Sequence, residues 1–430
     1  MTRSNRRTFL RTSAGTVAAG TLARALSARG ADANDRIKMG LIGAGGYGMS
    51  DTKAALGVGG VEIVAVCDVD SSHLEQGADA IAKLQNARPK TFKHYEELLD
   101  VAGLDAVIIA APPHWHALPF IAAVEKGLAV YSEKPLAYDI REGRAMVEAA
   151  TKHPVTVQIG FQRRQSQAMA EAKTFMAEGK VGRIVQVDAQ IHYWAGTKDP
   201  APQEPPPELD WELWCGPAPK IPYSPQVGHR NWRLEKTTGH GHLVDWGIHL
   251  IDAVRMMLDL AMPRQVTAAG GIYQYEGIIT TPDTLTVHFE FDRLPVVWRH
   301  RLWGAQEYNP SITNGIFFFG EEATVFAGDR RWEVIPKGKP DKREVHDAPA
   351  DMGGLHMADF LAAVRSGSQP SCRIEDAFRS TGTVQLGMIA YETASTVRWH
   401  EESEEILDNP AAAKLLKRDY RPPYQHPYQG

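Results

Sequence analysis

Lysine, histidine and aspartate fall in three stretches where their spacing can do chemistry. Ser132-Glu133-Lys134-Pro135 follows the run 129–132. An ammonium group at a strand end can hydrogen-bond an alcohol oxygen and stabilise negative charge developing on it; its ordinary fate is a surface turn. In Gly239-His240-Gly241-His242-Leu243-Val244-Asp245-Trp246-Gly247-Ile248-His249, Asp245 and His249 are four apart. On a helix they share a face and can hydrogen-bond each other, with His242 on the same stripe. A carboxylate holding one ring nitrogen fixes the tautomer and frees the other as a general base. Two further readings stand beside this one: ordinary buried histidines, and a metal set of His/His/Asp/His. The third stretch, Ala111-Pro112-Pro113-His114-Trp115-His116, follows the apolar run 106–110. It is either a site loop or a proline-stiffened turn.

The elements that must position these groups begin at Gly43-Ala44-Gly45-Gly46-Tyr47-Gly48, between the buried run 37–42 and the helix-compatible segment 49–56. In a strand-to-helix turn, G-x-G-x-x-G is a dinucleotide fingerprint. One glycine permits the tight turn, one lets backbone approach a pyrophosphate, and one allows close helix–strand packing. The helix N-terminus offers free N–H groups to the phosphate. Asp68, twenty residues past Gly48, ends the apolar run 61–67. An acid there accepts from a ribose diol and repels a 2′-phosphate, so NAD is expected over NADP. The 111–116 loop then borders the nicotinamide half, because ligands sit at the carboxyl ends of parallel strands. Lys134 beside a cationic nicotinamide would have a lowered pKa and could accept a proton. Hydride transfer to NAD needs no metal, and the histidine spacing matches no zinc signature, so no metal is expected.

Strand-like runs at 37–42, 61–67, 106–110, 129–132 and 155–160 alternate with helical stretches such as 95–101, 116–126 and 140–152. That alternation predicts a parallel sheet with helices on both faces. Beyond Gln165 the pattern becomes a helix (167–178), a long alternating strand (184–194), a proline-rich stretch (200–225) and a helix from about His242 to Leu258. Strands then follow at 266–272, 284–291, 296–302, 315–319 and 323–326, with helices at 354–365 and 375–397. The fold class is α/β: a doubly wound Rossmann domain followed by an α+β domain with a large, open, mostly antiparallel sheet.

Charge argues against a nucleic-acid partner: the chain is −5, and beyond residue 33 it holds 41 basic against 51 acidic residues. No apolar stretch reaches the ~20 residues of a membrane-spanning helix. Residues 1–33 read as an address, with the twin-arginine pattern Asn5-Arg6-Arg7-Thr8-Phe9-Leu10-Arg11, a Gly- and Ala-rich stretch, and the small-x-small triplet Ala31-Asp32-Ala33. Twin-arginine signals serve proteins exported folded, often with a cofactor inside. Cys67, Cys215 and Cys372 form no C-x-x-C and read as small buried hydrophobes. Nine of the ten tryptophans lie beyond residue 190, and aromatic faces suit either sugar C–H surfaces or packing.

Gly43 to Gly48, Glu133-Lys134-Pro135 and Asp245-x-x-x-His249, in that order, resemble the Gfo/Idh/MocA oxidoreductase family. Leu209-Asp210-Trp211-Glu212-Leu213-Trp214-Cys215-Gly216-Pro217-Ala218-Pro219 resembles a segment of its exported bacterial branch. The resemblance covers the chain after residue 33 and implies an NAD-binding domain (34–160) and a substrate and oligomerisation domain (161–430). It implies oxidation or reduction of sugars, cyclitols or their derivatives, in homo-oligomers (dimer or tetramer) built through the large sheet. Lys134 and His249 match the family's catalytic pair and Asp245 the adjoining aspartate. Gly43, Gly45, Gly46, Tyr47, Gly48, Asp68, Ala111, Pro112, His116, Glu133 and Lys134 form the expected cofactor set. Arg163, Tyr193, His240 and His242 are the expected substrate-side groups. Ala111-Pro112-Pro113 departs from the family's frequent Thr-Pro-Asn or Thr-Pro-Asp, and His240 and His242 are extra. The expectation is a periplasmic enzyme, delivered by the twin-arginine machinery, that holds NAD tightly and acts on a secondary hydroxyl. Redox-assisted glycoside hydrolysis and turnover-free sugar binding are the alternatives.

Overall fold

The computed structural model describes residues 36–305 and 314–429; the leader expected at 1–33 lies outside them. The first half is a six-stranded parallel sheet of β1 (Ile37–Ile42), β2 (Val61–Cys67), β3 (Lys90–Phe92), β4 (Ala106–Ile109), β5 (Ala129–Ser132) and β6 (Val157–Ile159). Its order is β3-β2-β1-β4-β5-β6, so strand order reverses between β1 and β4, where a crevice must open at the carboxyl ends. The strands are apolar on both faces because helices cover both: α1 (Gly46–Val58), α2 (Ser71–Gln85), α3 (Tyr95–Leu99), α4 (Ala117–Glu125) and α5 (Ile140–Lys152). Strand β3 was not expected. It is three residues long, with Lys90 and Thr91 exposed, and leaves no apolar run to read.

The second half begins with α6 (Gln167–Ala177) and β7 (Ile184–His192), followed by α7 (Trp211–Cys215) and α8 (Ile248–Leu258). Strands β8 (Gln265–Gly271), β9 (Thr284–Glu290), β10 (Pro295–Arg301), β11 (Asn314–Gly320), β12 (Ala323–Ala327), β13 (Arg331–Pro336) and β14 (Glu344–Asp347) come next. After α9 (Met352–Ser366) and α10 (Ile374–Glu392), strands β15 (Val397–His400) and β16 (Glu405–Leu407) complete a ten-stranded sheet. Its order is β14-β13-β12-β11-β7-β10-β9-β8-β15-β16. All pairs are antiparallel except β7 with β10. Alternation along β7 and β10 buries Val187, Ala189, Ile191, Val296 and Trp298. No helix among the described residues is long and apolar enough to cross a membrane. Cys67, Cys215 and Cys372 are free and buried.

The two halves interpenetrate. Met357, Phe360 and Leu361 of α9 join Met39, Leu41, Ile63 and Ile108 in one apolar cluster, so a helix late in the chain completes the first domain's core. The C-terminal tail also returns to α5. Arg418 Nε donates to Glu142 Oε1 at 2.7 Å and its backbone N–H to Asp139 Oδ2 at 3.0 Å, with His426 Nε2 3.1 Å from that oxygen. Burial pushes the Glu142 carboxyl up to about 7 against the pull of Arg418. Removing one partner of a buried pair strands the other, so Arg418→Ala is expected to cost about 3–5 kcal/mol in urea unfolding. A carboxyl with a raised folded pKa binds its proton as pH falls, so the loss is larger near pH ~8 than near pH ~5. A loss independent of pH would show that Glu142 is not the group left stranded.

Candidate active site

The glycine loop is dictated by close approach. Gly43 has φ +94°, and a Cβ there would lie 2.8 Å from the Ala110 carbonyl carbon and the Ala111 nitrogen. A Cβ on Gly48 would fall 1.9 Å from the Gly43 oxygen, so α1 starts directly against the strand end. Gly45 and Gly46 face open space, with nothing within 4 Å of an added Cβ. No side chain caps α1 and no acid stands in its first turn, which leaves its N-terminal N–H groups facing that space. This cradle fits a pyrophosphate. Asp68 follows β2 and accepts from Ala44 N at 2.7 Å and Asp70 N at 2.9 Å. These bonds hold the acid at the adenosine end of the crevice, although burial raises its pKa.

A cavity of about 620 Å³ runs from this loop to the second domain. Gly43, Gly45, Gly46, Tyr47, Asp68, Ala111, Pro112 and Lys134 line it, facing Tyr193, Asp245 and His249. At its inner end Lys134 Nζ donates to Asp245 O at 2.7 Å and Asp245 Oδ1 at 2.9 Å. Arg233 Nε sits 3.0 Å from Asp245 Oδ2. Burial alone would raise the Asp245 carboxyl, but the two cations pull it down to about 2. His249 is pushed well below 6.5 by burial and by the charges of Lys134 and Arg163, so its imidazole is neutral at neutral pH.

Several expected roles change. Asp245 does not orient His249: both carboxylate oxygens serve Lys134 and Arg233, and His249 Nδ1 has no hydrogen-bond partner. The reason is local. Residues Leu243–Gly247 form a π-helical turn before α8 instead of the regular helix the four-residue spacing assumed. His116 does not line the cavity; its Nδ1 lies 2.8 Å from Pro135 O and its Nε2 2.7 Å from Ala111 O, so it ties the two site loops together. A neutral imidazole donates only one of these. Glu133 turns beneath the site, where its Oε1 accepts from Gln162 Nε2 at 2.6 Å and burial pushes it up to about 7. Gly48 packs rather than lines. Of the substrate-side set only Tyr193 reaches the cavity. Arg163 is committed to Asp329 at 2.6 and 2.9 Å. His240, at φ 58°, stacks on Tyr138 at 4.1 Å, and His242 stacks behind Tyr193 at 4.7 Å as its support. Sequence reasoning missed Arg233, Trp232 and Trp246, which share the inner wall. The first two lie in the short 3₁₀ turn Asn231–Leu234, too short to leave a periodic signal in the sequence; in the fold Arg233 sits over the Trp232 ring at 4.2 Å.

Two family models match, an NAD-binding Rossmann fold of the oxidoreductase family over residues 37–161 and its C-terminal alpha/beta domain over 178–426. The chain belongs to the Gfo/Idh/MocA oxidoreductase family. Its NAD-binding domain is therefore the half that carries the glycine cradle. Inositol 2-dehydrogenase of Salmonella typhimurium is 32% identical over 163 residues, 37% of this chain and 47% of that protein. A glycosyl hydrolase family 109 protein of Shewanella baltica is 31% identical over 122 residues, 27% of each. The chain spans about half the length of the inositol dehydrogenases it matches, and less of the glycosyl hydrolase. In fold it is similar to levoglucosan dehydrogenase in complex with NADH and levoglucosan, with TM-score 0.68 and 18% identity over 84% of this chain and 99% of that one. An oxidoreductase from Agrobacterium radiobacter, in complex with NAD+, L-tartaric acid and magnesium, gives TM-score 0.67 and 17% identity over 84% and 98%.

The cradle separates two glycines experimentally. Gly48→Ala forces backbone apart and is expected to cost about 1–3 kcal/mol and weaken NAD binding. Gly45→Ala, facing open space, should leave the melting temperature within about 1 °C while its methyl still obstructs NAD. Calorimetric NAD titration and thermal unfolding read both; equal melting temperatures for the two variants would refute the packing role of Gly48.

Proposed function

We propose that this protein moves a hydride between tightly held NAD and the carbinol carbon of a sugar or polyol. The carrying observation is that His249 lines the same cavity as the Lys134–Asp245–Arg233 cluster, at the inner end of the dinucleotide cradle. The names of the relatives, inositol 2-dehydrogenase and levoglucosan dehydrogenase, support that substrate class. Bound NAD supplies the hydride acceptor, the alcohol becoming a ketone with release of one proton. His249 takes the hydroxyl proton on a ring nitrogen. Lys134 donates to the substrate oxygen, Asp245 accepts from that ammonium group and holds it in place, and Arg233 holds Asp245. Trp232, Trp246 and Tyr193 offer apolar faces to sugar C–H surfaces.

The twin-arginine leader supports export with the cofactor already inside, and so a resident NAD regenerated in place in the periplasm. Two closed cycles suit that setting: oxidation of one sugar coupled to reduction of another, and redox-assisted glycoside cleavage. In the second, oxidation acidifies the neighbouring C–H, the aglycone is eliminated, water adds, and the ketone is reduced again. The similarity to a glycosyl hydrolase family 109 protein favours keeping this cycle in view. The position of Tyr193 on the cavity wall over His242 supports a part in the extra proton step.

The test is to purify the protein without added cofactor and titrate it with a panel of sugars, polyols and glycosides while following the reduced-nicotinamide absorbance. Reduction of retained cofactor without its release is expected. A panel that moves no hydride overturns the proposal, and continuing accumulation of free NADH overturns the closed cycle. His249→Ala should lower kcat/KM by about 10²–10⁴-fold while NAD stays bound. Because the histidine pKa is depressed, its base form survives as pH falls, so the acid limb of kcat/KM lies below pH 6.5. A limb at or above that value would remove His249 as the base.

A further inference from the structure

At the far end of the cavity from Lys134 stands a cluster that the hydride chemistry does not use. Asp70 caps α2, His73 sits in the first turn of that helix, and His229 arrives from the second domain. One ligand atom of each lies within 4.8 Å of the others. His229 Nε2 is 2.8 Å from Asp70 Oδ2, and the imidazole rings of His73 and His229 lie 4.3 Å apart, tilted by 45°. His73 and His229 both line the cavity. The other carboxylate oxygen, Asp70 Oδ1, accepts from Ser72 N at 2.8 Å and His73 N at 2.9 Å, which fixes the carboxylate orientation. His229 adopts φ 47°, a left-handed conformation that costs a non-glycine residue energy and persists only where its surroundings hold it.

We propose that Asp70, His73 and His229 bind one zinc-class divalent cation that clasps the second domain to the NAD-binding domain. Two imidazoles and one carboxylate, with water as a fourth ligand, are a donor set that zinc accepts. A harder ion such as magnesium prefers an all-oxygen shell. The backbone already aligns the clasp. Ser71 N donates to Glu208 O at 3.0 Å, Asp210 N donates to Val69 O at 3.1 Å, and Asp70 forms a β-bridge with Leu209. The segment carrying Glu208 to His229 therefore lies as a strap over the residues next to Asp68, at the adenosine end. Such a two-residue strand pairing is weak alone, and a cation shared between the domains would close it over the dinucleotide. The ligands were illegible in sequence because His229 is remote from the Asp70–His73 pair and follows no ligand spacing.

The clasp's effect on cofactor rests on NAD occupying this cavity, whereas the metal titration reads the cluster whether or not any sugar is oxidised. Full-length protein with its retained NAD is treated with a chelator, desalted and titrated with zinc chloride by calorimetry. One equivalent per chain should bind, with a rise in melting temperature and slower loss of NAD on repeated desalting. His229→Ala and His73→Phe should each weaken zinc binding by about 100-fold or more, since even outer partners of metal ligands are worth about 10–100-fold. The phenylalanine variant keeps the ring contact with His229 and removes only the ligand nitrogen. Absence of a one-equivalent site, or zinc binding undiminished in both variants, overturns the proposal and leaves Asp70–His229 as a hydrogen-bonded latch without metal.

Discussion

The ion pair between Lys134 and Asp245 is the constraint on which the rest of this structure depends. It joins the end of β5 to the π-helical turn before α8, and both side chains are almost fully buried, at 7% and 5% exposure. Removing two charges from water costs several kcal/mol each, so a pair this deep survives only with further partners. Arg233 supplies one on the carboxylate, and the Asp245 carbonyl supplies one to the ammonium group. The cluster therefore carries one negative and two positive charges before any ligand arrives. Burial first, then the charges of Lys134 and Arg163, hold His249 well below its ordinary pKa, which favours the neutral imidazole that a proton acceptor needs.

The fold can be understood as the means of holding that arrangement in two pieces. The parallel sheet ends β1, β4 and β5 at one edge, so the glycine cradle, the Ala111–Pro112 loop and Lys134 emerge side by side. The second domain must then deliver Asp245, His249 and Arg233 to the same point. Asp245 and His249 come from the π-helical turn and the helix α8 that follows it, and Arg233 from the short 3₁₀ turn Asn231–Leu234. The positions are stiffened from behind. His116 ties the two loops of the first domain, and α9 returns from the second half to fill the first core. A relative slip of the domains by one hydrogen-bond length would separate Lys134 from Asp245 and strand both charges.

What could be read from the sequence follows from how local each feature is. The runs 37–42, 61–67 and 129–132 are strands, and the glycine turn is built as its spacing implied, because neighbouring residues alone decide them. Lys134 and His249 reach the cavity because strand and helix ends define where a site opens. The misreadings are of another kind. The Asp245–His249 bond assumed 3.6 residues per turn, and one π-helical turn redirected the carboxylate toward Lys134 and Arg233. Arg163, His240 and His242 have the right chemistry, yet Asp329, Tyr138 and Tyr193 claim them, and those pairings exist only in three dimensions. Strand β3 and the attachment of α9 failed for the same reason: a short exposed strand and an amphipathic helix do not name their partners.

This division of labour also locates specificity. Lys134 stands just past β5, Asp245 in the π-helical turn and His249 in α8, and a fold of this kind serves many substrates. The residues that close the cavity, Tyr193, Arg230 to Arg233 and Trp214, belong instead to the long stretch between β7 and α8. That stretch has little regular structure, so its sequence can vary without disturbing either sheet. Trp211 and Trp214 stack at 4.4 Å and Trp115 Nε1 donates to the Leu213 carbonyl at 3.0 Å, so this segment is anchored to the first domain rather than floating over it. On the proposed reaction, the Lys134–Asp245–His249 end of the cavity would set the chemistry, and the segment from Tyr193 to Leu234 would choose the molecule that undergoes it.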